Sequence, residues 1–190
     1  MKLFITGPPG CGKTTLIRRV IERLGDDVWL RGFITEEVLK GGSRDGFQGR
    51  TFDGETFTLA DRSTETDLRV GPYHVTLSGL DSIGLAALAP LADTQLVVLD
   101  EVGKMESFSP AFRAKVEELI AGPVPLLATV AGHGVGFVKK VRHDRRITLL
   151  RMRRRARAGV LGDVLRRLAA AGVAVKPRSS ARNQSDRSRP

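Results

Sequence analysis

The stretch Gly7-Pro8-Pro9-Gly10-Cys11-Gly12-Lys13-Thr14 decides how this chain is read. It fits a pattern of glycine, four free positions, then Gly-Lys followed by Ser or Thr. Before it, Lys2 to Thr6 is a short apolar run with the character of a strand. After it, Leu16, Ile17, Val20, Ile21 and Leu24 fall at helical spacing from about Lys13 to Leu24, and Gly25 is placed to stop the helix. A glycine-rich loop between a strand and an amphipathic helix has a defined chemistry. Gly7 and Gly12 let the backbone close on phosphate oxygens, with N–H groups and a helix N-terminus turned toward the negative charge. The expected phosphate cradle is Gly7, Pro8, Pro9, Gly10, Cys11, Gly12, Lys13, Thr14 and Thr15. Lys13 is expected to reach the β- and γ-phosphates, and the Thr14 hydroxyl to bind Mg²⁺.

A second motif completes the first. Leu96-Val97-Val98-Leu99-Asp100-Glu101 is an apolar strand ending in two acids. Asp100 at the strand end is expected beside Thr14 as a second Mg²⁺ ligand. Glu101 is expected to orient and activate an attacking water, which hydrolysis needs and phosphoryl transfer to a bound alcohol does not. Lys104 and Glu106 follow closely enough to reach the same phosphates, and Thr129 ends the next strand, where it could sense the γ-phosphate. Cys11 lies near a helix N-terminus and Lys13, surroundings that favour a thiolate. If the loop is accessible, alkylating Cys11 is expected to block activity. His133 and His143 have no partner at metal-ligand spacing and read as structural or solvated.

Elsewhere the chain alternates strands and helices. Residues 32 to 60, rich in Gly, Thr and Phe, read as short strands and hairpins; Val70 to Leu77 reads as another strand, and 82 to 91 as a helix. Ser109-Pro110 is a helix start, followed by the stripe Phe112, Val116, Leu119 and Ile120 and ended by Gly122-Pro123. Strands are expected at Leu126 to Val130 and Ile147 to Leu150, and a last helix from about Ala156 to Ala171. The pattern is that of an α/β fold, a mostly parallel central sheet with helices on both faces and a β-hairpin insertion. One domain is expected over residues 1–175, with a basic, disordered tail over 176–190.

Composition narrows the class. The chain has 190 residues, of which 41% are hydrophobic, and a single cysteine, so neither an intrachain disulfide nor a four-cysteine zinc site is available. No apolar run is long enough for a membrane span, and the first residues do not read as a secretory signal, so a cytoplasmic protein with no membrane contact is expected. Charge is uneven: residues 1–138 carry a balance of −4 and residues 139–190 a balance of +14. Such asymmetry suits contact with phosphates. The run Arg151-Met152-Arg153-Arg154-Arg155-Ala156-Arg157 lies at the start of the last helix, where the helix dipole disfavours cations unless an anion is near. Arg154 and Arg155 are therefore expected as nucleotide contacts. The basic C-terminal segment also allows a weak nucleic-acid contact, although the last 52 residues contain no aromatic residue on which bases could stack.

The chain resembles the small nucleoside-triphosphatase family that contains thermophilic bacterial and archaeal phosphohydrolases and the human cancer-related nucleoside-triphosphatase. The resemblance rests on the phosphate loop, on Gly32-Phe33-Ile34-Thr35-Glu36-Glu37-Val38 with Gly46-Phe47, on Arg69-Val70-Gly71-Pro72-Tyr73-His74-Val75, and on Asp100-Glu101-Val102-Gly103-Lys104-Met105-Glu106. It spans residues 1 to about 130, more loosely to about 172. It implies a RecA-like P-loop NTPase fold and slow, Mg²⁺-dependent hydrolysis of several nucleoside triphosphates, ATP and GTP among them, to diphosphates. The chain departs from the family pattern at Leu39, where a basic residue is usual, and at Arg154-Arg155, where Asn-Arg is usual. The expected catalytic residues are Glu101, Lys13 and Lys104, and a monomer is the expected state. Two alternatives share the phosphate loop: a nucleoside or nucleotide kinase, and an RNA- or DNA-binding NTPase switch.

Overall fold

Leu3, Phe4 and Ile5 are all fully buried, although successive strand side chains point to opposite faces. A strand apolar on both sides must be covered on both sides, and the architecture follows from that requirement. The computed structural model describes residues 1–153 and 157–176. Its strands are β1 (Lys2–Gly7), β2 (Leu30–Lys40), β3 (Ser43–Thr51), β4 (Thr56–Asp61), β5 (Arg69–Val70), β6 (Tyr73–Val75), β7 (Leu96–Val102), β8 (Leu126–Ala131) and β9 (Thr148–Arg151). The helices are α1 (Lys13–Ile21), α2 (Leu85–Leu88), α3 (Pro110–Ala121), α4 (Gly136–Arg142) and α5 (Arg157–Ala170). The strands form one mixed sheet in the order β5-β6-β4-β3-β2-β7-β8-β1-β9.

From β2 to β9 all neighbours are parallel. From β2 outward through β3, β4, β6 and β5 they are antiparallel. The α/β fold is thus found, and the expected hairpin insertion extends the sheet as its antiparallel half. One face of the parallel half packs Phe4, Val97 and Leu99 against Phe112 and Val116 of α3 and Val138 of α4. The other packs Leu3, Ile5 and Val98 against Ile17 and Val20 of α1 and Val164 and Leu168 of α5. Where β2 meets β7, Gly32 is obligatory: its φ is +115°, and a Cβ there would stand 1.8 Å from the Val98 carbonyl oxygen.

Parallel strands bring their C-terminal ends to one edge, and the register states which residues share it. Gly7 pairs with Ala131 and Thr6 with Arg151, while Ile34 of β2 pairs with Asp100 of β7. β8 therefore separates the phosphate-loop strand from the acid strand. The Ser109 cap behaves as expected, its hydroxyl accepting the Phe112 N–H at 2.9 Å, with Pro110 opening α3.

Three stretches differ from the sequence reading. The strand expected at Val70 to Leu77 is the hairpin of β5 and β6, turned at Gly71 (φ +59°) and Pro72. The helix expected at 82–91 begins earlier, with a wide turn at Leu80–Gly84, and ends at Leu88, before Pro90. The short helix α4 was not signalled, because Val138 and Val141 are its only fully buried side chains and glycine opens it. At the C-terminal end, Lys176 gives its N–H to the Arg23 carbonyl at 2.8 Å and its ammonium to Asp26 at 2.6 Å. Arg154, Arg155 and the tail from residue 177 onward lie outside the described residues.

Candidate active site

The phosphate loop leaves β1 at Gly7 and enters α1 at Lys13, with Gly10 at φ 67° and Gly12 at φ 95°. Those left-handed turns are why glycine stands at both positions. Gly12 caps α1 without a side chain, and no acid occupies the first turn of the helix. Its free N–H groups and positive dipole end are therefore uncompensated by the protein's own carboxylates there. Gly7 has a packing reason as well: a Cβ there would meet the Met152 carbonyl oxygen at 2.6 Å and the Cys11 sulfur at 2.8 Å. The end of β9 is pressed against the start of the loop, where Met152 gives its N–H to the Thr6 carbonyl at 2.7 Å.

Cys11 corrects the sequence reading of its thiol. The side chain is fully buried among Leu3, Ile5, Leu16 and Met152, turned inward rather than toward the loop's open side. Its backbone N–H closes the loop onto the Pro8 carbonyl at 3.2 Å. Pro8, Pro9, Gly10 and Thr15 are exposed.

Lys13 Nζ lies 3.1 Å from Glu101 Oε2, so the loop lysine and the second strand-end acid meet. Glu101 keeps 28% of its side chain exposed. Burial pushes its carboxyl above the usual range and the negative charge of Asp100 adds to that, while Lys13 opposes it. Asp100, 1% exposed, is held by the Thr129 hydroxyl, which donates to Oδ1 at 2.5 Å. Burial is the main cause raising its carboxyl, with the Thr129 and Thr14 hydroxyls and the charges of Lys13 and Arg18 working the other way. Thr14 thus stands against Asp100, as the spacing of the motifs implied. Thr129, read from the sequence as a phosphate sensor, spends its hydroxyl on Asp100.

The second Asp100 oxygen, Oδ2, is buried without a hydrogen-bond partner. An unpartnered buried carboxylate oxygen is costly, and beside a threonine hydroxyl it is the donor set Mg²⁺ takes when phosphate oxygens and water complete its shell. Among the described residues, no group of three or more His, Cys, Asp or Glu could hold a metal alone. The chemistry of Thr14 and Asp100 fits a Mg²⁺ ion whose other ligands come from phosphate and water.

The remaining candidates divide. Lys104 is exposed on the turn after β7. Glu106 is not a loop charge facing phosphates: it is buried, its Oε2 accepting the Gly103 N–H at 3.1 Å. His133 and His143 are exposed, His143 Nδ1 lying 2.8 Å from the Lys139 carbonyl oxygen. One cluster beside the site escaped the sequence. Glu36 of β2 accepts from Arg18 at 2.6 Å, Gln48 at 3.1 Å and Arg50 at 3.1 Å. Foremost the Arg18 bond holds its carboxyl down at about 2. The cluster ties the hairpin to the phosphate-loop helix through contacts that only the sheet register brings together. A small recess is lined by Gly12, Thr15, Leu16, Arg19, Met152 and Leu161.

A glycine loop at the end of one parallel strand, an Asp-Glu pair at the end of another and a lysine joining them define a P-loop nucleoside-triphosphatase. The family model described as NTPase matches residues 2–165, and the chain belongs to that family. It is 36% identical over 166 residues to the nucleoside-triphosphatase THEP1 of Thermotoga maritima, covering 87% of this chain and 94% of that one. It is 34% identical over 179 residues to the human cancer-related nucleoside-triphosphatase, covering 86% and 94%. The crystal structure of THEP1 from Aquifex aeolicus superposes with a TM-score of 0.79 at 32% identity, covering 88% of this chain and 99% of that one. No helix among the described residues is long and apolar enough to cross a membrane.

Proposed function

We propose that this nucleoside-triphosphatase hydrolyses the terminal phosphoanhydride of ATP, GTP and related triphosphates with broad base tolerance, using Mg²⁺ and a water oriented by Glu101. The observation that carries this reading is the Lys13–Glu101 contact at 3.1 Å. It sets a carboxylate able to accept a proton from water beside the ammonium that would grip the β- and γ-phosphates. Thr14 and Asp100 would hold Mg²⁺, whose charge would neutralise the phosphate oxygens when the nucleotide is bound. The loop N–H groups at the head of α1 would carry the remaining phosphate contacts. Because the loop and Lys13 are mounted where β1 runs into α1, and Glu101 near the end of β7 one strand away, water and γ-phosphorus would be brought in line without a large rearrangement.

Lys104, exposed on the turn after β7, would supply further positive charge near the triphosphate, and Arg154 and Arg155 are proposed to add to it. Lys13, Lys104 and Glu101 are the residues assigned to the chemistry. Exposed Lys139, Arg145, Arg151 and Arg153 favour a weak, salt-sensitive contact with nucleic acid. A cytoplasmic location and a monomeric state complete the reading.

The test is phosphate release from a panel of nucleoside triphosphates, with and without Mg²⁺, and with and without nucleoside acceptors. Diphosphate and free phosphate in equal amounts, without any acceptor and only with the metal, are expected. Turnover that requires an acceptor and yields a new phosphomonoester would show a kinase instead.

A further inference from the structure

Asp100 and Glu106 are the buried carboxyl residues among the described residues, and only Asp100 has a task in the reading above. Glu106, 4% exposed, opens the single turn Glu106–Phe108 just beyond β7. Its Oε2 accepts the Gly103 N–H at 3.1 Å. The Gly103 carbonyl in turn accepts the Ser107 N–H at 3.2 Å and the Ser107 hydroxyl. From the other side, Arg113 of α3 donates to the Ser107 carbonyl at 2.7 Å. The turn is therefore tied to a helix at one end and to the Glu101 strand at the other.

Gly103 shows how close the two glutamates come. A Cβ on it would stand 2.9 Å from Glu106 Oε2 and 3.7 Å from Glu101 Oε1. Both carboxyls close over the same bare Cα, so the position of one limits the other. We propose that Glu106 is a positioning residue for hydrolysis, its carboxyl clamping the Gly103 turn and so setting where the Glu101 carboxylate stands against Lys13. The inference rests on the reading of Glu101 as the water-orienting group.

The charge state of the clamp suits the task. Of the ionisable groups around it, Glu101 and Asp100 of β7 are acidic, Lys13 of α1 is engaged with Glu101, and Arg113 of α3 is turned to the Ser107 carbonyl. Burial first, then the charges of Glu101 and Asp100, push the Glu106 carboxyl up to about 8. At neutral pH it holds its proton, fixing the turn without adding negative charge beside a triphosphate. Above that value it ionises, repelling Glu101 and the nucleotide alike.

The experiment compares Glu106→Gln with Glu106→Ala. Glutamine keeps the neutral shape and cannot ionise. The native protein is expected to lose kcat between about pH 7.5 and 9, and Glu106→Gln is expected to retain kcat within about threefold at pH 7 and to show no such fall. Glu106→Ala is expected to lose kcat by about tenfold or more with little change in KM, since a displaced catalytic group costs rate rather than binding. If the alanine variant does not fold, the pH profile of the glutamine variant carries the test. A native pH profile in Glu106→Gln, or native kcat in Glu106→Ala, overturns the inference. Loss of hydrolysis in Glu101→Gln alongside either result overturns this inference alone, whereas native hydrolysis in Glu101→Gln overturns the reading beneath it.

Discussion

Thr129 gives its hydroxyl proton to a carboxylate that burial has stripped of water, and that single bond shows how this site is financed by its neighbours. Asp100 needs partners for both oxygens; Thr129 supplies one, and Oδ2 is left without a hydrogen bond, the position proposed above for Mg²⁺. Thr129→Val keeps the volume and removes the donor, leaving a second buried oxygen unpaired. A loss of about 1–3 kcal/mol in unfolding free energy is expected, together with weaker Mg²⁺-dependent hydrolysis, measured by denaturant titration and phosphate release. Unchanged stability and activity would show that the bond is dispensable. Glu106 gives a pH-dependent counterpart. Its folded carboxyl lies at about 8, above the ordinary value of 4.5, so the unfolded chain releases that proton first. Its contribution to stability therefore falls as pH rises from about 4.5 to about 8 and then levels off. The melting temperature of Glu106→Gln is expected to fall less than that of the native protein across that window.

At the scale of elements, two glycines separate strain from crowding. Gly32 combines φ +115° with a Cβ position 1.8 Å from backbone oxygen of β7, whereas Gly41 at the hairpin tip has φ +58° and open space around it. Gly41→Ala is expected to cost only the left-handed backbone, about 1–2 kcal/mol. Gly32→Ala is expected to cost clearly more, by prying β2 from β7, and urea midpoints of the two variants check the order. The elements legible in the sequence are those whose signals are local. The phosphate loop, the Ser109 cap and the acid-ended run of β7 each announce themselves within a dozen residues. The helix α4 did not, because seven residues with two core contacts carry too little periodicity. The Glu36 cluster and the burial of Glu106 are products of sheet register and of a turn folding under a neighbouring helix, and no spacing along the chain encodes them. Cys11 shows the reverse error: its place in the loop was legible, but the direction of its side chain depended on Gly7 and Met152 leaving it only the core.

For the whole molecule, the sheet order is the feature the sequence could not give up, since inserting β8 between β1 and β7 is what brings Thr129 to Asp100. Charge distribution is visible at both levels. The balance of +14 over residues 139–190 includes residues 177–190, which add four arginines and one aspartate beyond Lys176. Deleting 177–190 is expected to leave hydrolysis unchanged while weakening salt-sensitive binding to polyanions, measured by titration with single-stranded DNA at two ionic strengths. Loss of hydrolysis on that deletion would contradict the division of tasks. The proposed hydrolysis turns on Glu101, the carboxylate that Lys13 touches. Replacing it with glutamine keeps the shape and removes the base, so single-turnover hydrolysis is expected to fall by about 10²–10⁴ while Mg²⁺–nucleotide binding persists. Hydrolysis at the native rate in Glu101→Gln would contradict the account, because the water would then be oriented by another group.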